Sequence, residues 1–326
     1  MKHILTLIFL ALCLFSFSQY TYKNLQVNYT DTNVAKTYTW ENLRLYPVYA
    51  NADFKAGFKT VGKYVSLQEA IVRNKIKITE KENGGSVNDL TIENISTDTI
   101  IIIPGDVIKG GQQDRIIAKD MLLKPKSGKL NVPVYCVESG RWSARSNTAA
   151  ASRNNSNAPA EFKSYYSKGA VSLRKVVEKE EDQSKVWNKV DEMNSKNKTS
   201  TATKTYTALN NSTDFNKRLE QYTRFFGSRF SVDENIIGVV VVTGDRVLGC
   251  DMFATHDLFI KQYTSLLHSY ATEAILNGKP VAVSPAVVKA YMDKLLMNET
   301  VQQTTLKSKG SAFTDKGKKL RVSCFD

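Results

Sequence analysis

The residues best suited to chemistry come mostly from one stretch in the first half of the chain, where charged and amide side chains are interleaved with apolar runs. Glu138 and Asp106 are carboxylates that could act as general acid and base, and Glu80 is a third candidate from an earlier strand. Arg115 and Arg141 could stabilise negative charge, because a guanidinium presents a planar fork of donors. These residue types fit acid–base or anion-binding chemistry, although their spacing matches no established catalytic motif.

The same stretch also carries groups that could bind a ligand without reacting with it. Gly110 and Gly111 would allow the backbone to approach a ligand closely, and Gln113 offers both donors and acceptors. Trp142 could stack on a flat ligand, while Arg115 could hold its anionic group. The competing interpretation is two ordinary strands with polar loops, in which Trp142 is a core residue.

Two predicted strands must position these groups. Ile100–Ile103 is a β-branched run typical of a strand buried on both faces, and a Pro-Gly-Asp turn follows it. Val132–Glu138 alternates so that Glu138 ends an otherwise apolar face, where it must lie at a rim or be paired. Glu80 ends another strand beside a charged turn and is expected to face solvent, with a place in the pocket as the alternative.

The motifs GDVIKGGQQDR and VPVYCVESGRW resemble the signature of the ARPP domain, and the similarity runs from about Leu43 to Phe325. That family is named for its association with ADP-ribosylglycohydrolases and rhodanese-phosphatases, and its own activity is not established. The proteins for which the family is named imply an ADP-ribose-like substrate.

Three functions are compatible with these residues. The first is a module that binds an anionic or sugar-nucleotide-like small molecule through Arg115, Arg141 and the amides near Gly110. The second is a hydrolase of an ADP-ribose-like or glycosidic substrate, with Glu138 paired to Asp106 or Glu80. The third is a structural envelope protein.

The first eighteen residues have the pattern of a secretory signal. A basic start at Lys2 precedes the apolar run Ile4–Phe15, which is too short to span a bilayer as a stable helix. Small residues at Ser16 and Ser18 predict cleavage before Gln19. We therefore expect a protein exported to the periplasm or the extracellular space, with no transmembrane segment.

Composition constrains the partners. Removing the signal removes one lysine and no acid, so the net charge falls from +13 to +12. The basic residues are dispersed and no nucleic-acid motif accompanies them, so we expect an anionic small molecule rather than a nucleic acid as partner. Cys136, Cys250 and Cys324 predict buried thiols or one disulfide with a thiol left over, and no metal or cofactor site is expected.

The order of predicted elements indicates an α+β fold. We expect a lead-in over residues 19–42 and one composite domain over residues 43–326. A β-sandwich-like N-terminal half packs with C-terminal helices and a β-hairpin, and a flexible charged insertion at residues 143–213 interrupts it. Near the end, Thr300–Lys307 and Lys319–Phe325 are expected to be strands.

Overall fold

The structure is a computed structural model that describes residues 20–81, 86–141 and 162–326, without the side chains of residues 163–166. The expected signal sequence, Trp142 and the low-complexity part of the insertion lie outside the described residues. Among the described helices, none combines the length and the apolar character that crossing a bilayer requires. The strands are β1 (Leu25–Val27), β2 (Thr39–Trp40), β3 (Leu43–Ala50), β4 (Val65–Ser66), β5 (Ile76–Glu80), β6 (Asp89–Asn94), β7 (Ile100–Ile102), β8 (Asp106–Lys109), β9 (Arg115–Ile117), β10 (Met121–Leu123), β11 (Gly128–Cys136), β12 (Lys163–Lys168), β13 (Ile236–Thr243), β14 (Arg246–Phe253), β15 (Gly310–Asp315) and β16 (Lys318–Phe325).

Helices separate and cover these strands. A π-helical turn at Val176–Glu180 and a 3-10 helix at Tyr206–Asn211 accompany the α-helices. The α-helices are α1 (Thr32–Thr37), α2 (Ala52–Gly57), α3 (Leu67–Val72), α4 (Val171–Lys175), α5 (Gln183–Lys196), α6 (Thr213–Phe226), α7 (His256–Asn277), α8 (Pro285–Leu296) and α9 (Glu299–Lys309).

The main sheet has the strand order β1-β3-β13-β14-β16-β15, and β2 also pairs with β3. All of its pairings are antiparallel. Every residue of β13 is buried, which is the pattern expected of an apolar run that lies between two covered faces. Helices α7 and α8 pack on this sheet and complete the largest apolar core.

Two smaller sheets form the other part of the fold. One has the order β12-β8-β9-β11-β6-β5 and the other has the order β10-β7-β4. Their apolar faces share a core built from alternate residues of β6 and β11 and from Ile100, Ile102 and Ile117. Helices and antiparallel sheets thus coexist with sandwich-like packing, and the expected α+β class is confirmed.

Most helices begin at the residues that local chemistry predicts. Thr255 caps α7 by accepting the amide of Leu258, and Ser284 caps α8, which has proline in its first turn. The expected strand at residues 300–307 is wrong, because those residues belong to α9. Asn298 caps that helix, and the side chain of Gln302 on its buried face donates to the carbonyl of Leu295.

The charged segment from residue 168 onward packs into the core, although it falls within the range expected to be a flexible insertion. Leu173, Val177, Val186 and Val190 are buried against Ile116 and its neighbours. The apolar residues of this segment are few, but they lie on one side of the helices and are therefore enough to fix it. Cys136, Cys250 and Cys324 are free and buried in the described structure.

Candidate functional site

The turn from β8 to β9 carries the two adjacent glycines. Gly110 has φ 130° and Gly111 has φ 54°, a backbone region that L side chains rarely adopt. A Cβ on Gly111 would lie 2.1 Å from Cζ of Phe162 and 2.4 Å from Oε1 of Glu80. Backbone conformation and close packing therefore already explain glycine here, and a ligand contact at Gly110 and Gly111 stays a prediction.

Three carboxylates hold this turn through its backbone amides. Glu80 Oε1 accepts the N–H of Gln112 at 2.7 Å, and Asp114 Oδ1 accepts the N–H of Gly110 at 3.1 Å. Glu138 Oε2 accepts the N–H of Asp114 at 3.0 Å. The turn thus binds acid groups from its own chain, which is what a concentration of inward-pointing amides favours.

Arg141 closes the turn from the opposite side. Its Nη1 donates to the carbonyl of Gly111 at 2.8 Å, and its Nη2 donates to Glu138 Oε2 at 2.7 Å. The same Nη2 lies 3.7 Å from Asp114 Oδ1. One guanidinium therefore joins the strand end after β11 to the turn after β8, and its planar fork fixes their relative position.

Gln113 and Arg115 form the inner layer. Gln113 donates to the carbonyl of Glu138 at 2.9 Å and accepts from the thiol of Cys136 at 2.7 Å. Arg115 is fully buried, and its Nη2 lies 3.7 Å from Glu80 Oε2. We call this group of side chains the loop cluster; its members are Glu80, Gln113, Asp114, Arg115, Glu138 and Arg141.

Glu80 faces the protein, so the expectation that it faces solvent is wrong. Its side chain is 9% exposed, and the amide of Gln112 and the guanidinium of Arg115 draw it inward. The alternative placed Glu80 in a pocket with Asp106 and Glu138. The structure brings Glu80 to the same turn as Glu138 but not to Asp106, and a ligand pocket at this place stays a prediction. A carboxylate at a strand end can turn inward when hydrogen-bond donors lie within its reach, because pairing with them offsets the cost of burial.

Asp106 does not join the loop cluster, and its expected pairing with Glu138 is wrong. Its Oδ1 lies 2.7 Å from the ammonium of Lys168, and both residues are buried. Asp106 begins β8, whereas the turn follows the end of that strand. Four residues of extended chain span about 13 Å, which separates the two positions.

Asp106 belongs instead to a second buried group that sequence reasoning missed. Arg174 donates to both oxygens of Asp251 at 3.0 and 2.7 Å, and Tyr270 donates to the same carboxylate at 2.6 Å. Asp251 interrupts an apolar strand pattern, and that signal could have revealed the group. We call it the inner ion network; its charged members are Asp106, Asp120, Lys168, Arg174, Glu178, Asp251 and Arg321.

The electrostatics of Glu138 limit its chemistry. Burial alone would raise the pKa of Glu138, but hydrogen bonds from Arg141, Thr203 and the amide of Asp114 outweigh it and lower the pKa to about 2. The carboxylate is therefore ionised near neutral pH and holds no proton to donate.

Within the described ranges, no group of three or more His, Cys, Asp or Glu side chains could hold a metal ion.

Acid should weaken the protein partly through Glu138. Its pKa is lower in the folded state, at about 2 against an ordinary 4.5, so its stabilisation is complete above the ordinary value and is lost as the pH falls toward 2. We expect the stability advantage of the parent over Glu138→Gln to shrink by about 2 kcal/mol between about pH 6 and pH 3. Urea unfolding of both proteins measures it, and an advantage that stays constant with pH would contradict the assignment.

Comparison with known proteins gives one match. The model of the ARG and Rhodanese-Phosphatase-superfamily-associated Protein domain, ARPP-1, matches residues 31–323. That range includes every residue of the loop cluster and of the inner ion network. No curated protein and no solved structure matches the chain significantly. Because the family model covers nearly the whole chain, the protein belongs to the ARPP-1 family.

Proposed function

We propose that the protein is an exported module that binds a small anionic or sugar-nucleotide-like molecule at the loop cluster. The observation that carries the proposal is the position of the Glu80 carboxylate. It occupies the point where the amide of Gln112 and the guanidinium of Arg115 meet, so the protein's own acid stands where an anionic group of a ligand would bind. The secretory pattern of residues 1–18 supports export.

Glu80 is the acid of the cluster that a ligand could replace at least cost. Its Oε1 accepts one hydrogen bond, and its Oε2 accepts none from the described residues. Glu138, in contrast, is held by Arg141, Thr203 and an amide, and it is fully buried. Glu80 is also the last residue of β5, which lies at the edge of its sheet, so it can swing outward without breaking an inner strand.

Charge balance favours replacement over simple addition. The loop cluster contains three carboxylates and two guanidiniums, so an added anion would meet a net negative charge. Exchange of Glu80 for a ligand's carboxylate or phosphate keeps both the amide of Gln112 and the guanidinium of Arg115 paired. Charge-assisted hydrogen bonds of this kind are stronger than neutral ones, and a ligand group with more acceptor oxygens can form more of them.

The hydrolase alternative has less support in this geometry. An acid–base pair needs one carboxyl group that is protonated near neutral pH. Hydrogen bonds hold the pKa of Glu138 at about 2, and Asp106 is committed to Lys168 elsewhere in the fold. Both carboxylates are thus paired with cations, which suits binding better than proton transfer.

Glu80→Gln is expected to bind anions more tightly than the parent. The glutamine amide has the size of the carboxylate but carries no charge. It therefore competes less strongly than the carboxylate with an anionic ligand for Arg115. We expect the dissociation constant for the best ligand among ADP-ribose, nucleotides and sugar phosphates to fall about tenfold. Thermal-shift screening finds the ligand, since a ligand of the native state raises Tm, and calorimetry gives the constant.

Glu69→Gln is the matched control, because Glu69 is paired with Arg73 on the outside of α3. We expect it to bind as the parent does. Equal affinity in the parent and Glu80→Gln would refute replacement of Glu80. Turnover of an ADP-ribose-like compound by the parent, lost in Glu138→Gln, would instead favour the hydrolase.

A further inference from the structure

A cleft with a volume of about 480 Å³ lies away from the loop cluster. Its walls come from four parts of the chain: the segment between α2 and β4, the residue before β7, the end of β10 with the residues that follow it, and the turn from β15 into β16. A cavity of this size falls in the range of ~300–1,000 Å³ that is usual for small-molecule sites. We call it the lysine cleft after the four lysines that line it: Lys63, Lys124, Lys316 and Lys318.

The floor of the lysine cleft is apolar. Leu320 is buried, while Val61 and Leu122 are half-buried and present the rest of their side chains to the cleft. Tyr64 is buried beside them. Apolar surface that is left partly open to water favours a ligand that covers it, by roughly 25 cal/mol per Å² removed from solvent.

The rim carries an excess of positive charge. Asp315 is the one acid among the residues that line the cleft. Lys63, Lys124 and Lys316 are exposed, and in the described part of the chain their ammonium groups form no ion pair. Like charges brought together around a low-dielectric floor raise the local potential and attract anions.

The turn between β15 and β16 fixes two of these lysines at the mouth. Lys316 has φ 47° and Gly317 has φ 75°, the left-handed pair that closes a tight hairpin. Lys318 is held by its bonds to the carbonyl of Gly57 at 2.6 Å and to the hydroxyl of Thr60 at 2.8 Å. The hairpin tip is thereby attached to the opposite wall, so the cleft exists before any ligand arrives.

We propose that the lysine cleft is a second binding site, which takes a small amphiphilic anion. The apolar body of the ligand lies on Val61, Leu122 and Leu320, and its acid group lies among Lys63, Lys124 and Lys316. Lysine is suited to this task because its ammonium is a mobile point charge on an apolar stem, and it can follow the acid group while the stem covers the ligand. The site shares no residue with the loop cluster, so either proposal can fail alone.

A pair of fluorescent probes tests the proposal on the full chain without knowledge of the natural ligand. The probes are 8-anilinonaphthalene-1-sulfonate and N-phenyl-1-naphthylamine, which have the same aromatic body with and without an acid group. We expect the sulfonate to bind at least about tenfold more tightly than the neutral probe. The charge reversal Lys63→Glu with Lys316→Glu should weaken sulfonate binding by about tenfold or more.

Lys196→Glu with Lys198→Glu is the matched control, since these lysines line a different cavity and the net charge changes equally. It should bind the sulfonate as the parent does. The four substituted lysines are exposed, so circular dichroism should show the same fold in every variant. Equal binding of both probes, equal binding by the cleft variant and the parent, or an equal loss in the control would each overturn the proposal.

Discussion

Arg174→Met is expected to lower the free energy of unfolding by about 4 kcal/mol, because it leaves the buried carboxylate of Asp251 without its paired cation. Arg174 is 1% exposed and donates to both oxygens of Asp251. It also lies 3.9 Å from Glu178. Methionine fills a similar volume, so the loss reports the missing charge rather than a cavity. Urea unfolding of the parent and the variant measures the difference.

Two further variants separate the charge effect from a general effect of losing an arginine. Arg224→Met removes an exposed partner of Glu220, and it should cost at most about 1 kcal/mol. Arg174→Met combined with Asp251→Leu should recover part of the loss, since an apolar pair can replace a buried ion pair. If Arg174→Met costs no more than Arg224→Met, the inner ion network does not stabilise the fold.

Gly238→Ala is expected to disrupt the centre of the main sheet. A Cβ at this position would lie 2.2 Å from the carbonyl oxygen of Asp251 and 2.7 Å from Cα of Met252. Both atoms are backbone of β14, which is paired on its other side with β16 and cannot shift freely. Overpacking usually costs about 1–3 kcal/mol, and a clash with backbone atoms that cannot move places this variant at the upper end, near about 3 kcal/mol. Thermal unfolding should show a clearly lower Tm or a loss of soluble protein.

Gly62→Ala provides the comparison for that variant. Nothing lies within 4 Å of a Cβ at Gly62, so its stability should stay within about 0.5 kcal/mol of the parent. An equally mild effect at Gly238 would mean that β13 and β14 approach less closely than the structure shows.

The fold could be predicted where its signals are local. A buried β-branched run predicted the strand that begins at Ile100, and Thr255 and Ser284 are of the residue types that local chemistry favours at the helix starts they occupy. The charged segment after residue 168 could not be placed in this way. Lys168 and Arg174 can be buried because they form ion pairs with Asp106 and Asp251, and those partners are more than sixty residues away in sequence. Prediction from residue types along the sequence, without knowledge of these distant partners, places such charges in solvent.

The candidate site was predictable in part for the same reason. Arg115 lies opposite Cys136 in the antiparallel pairing of β9 with β11, so the residues that precede Arg115 meet those that follow Cys136, and the two motifs come together. Glu80 and Asp106 were misjudged because the pairing partners of a carboxylate decide where it points. Asp106 and Gly110 stand at opposite ends of β8 and thus serve different groups, although one short motif contains both. The roles of Gly110, Gly111, Gln113, Arg115 and Arg141 in ligand binding stay predictions.

The order of strands in the main sheet also constrains how the chain can fold as it is made. β3 lies beside β13, and β16 lies between β14 and β15, so the sheet joins residues 43–50 to residues 236–253 and 318–325. Pairings that are distant along the chain form slowly, because loop closure must precede any gain from contact. Until residue 325 has left the ribosome, β14 lacks one neighbour and β15 lacks its partner. The main sheet can therefore be completed only once residues 318–325 are available, and until then the unpaired edges of β14 and β15 are open to wrong pairing and aggregation.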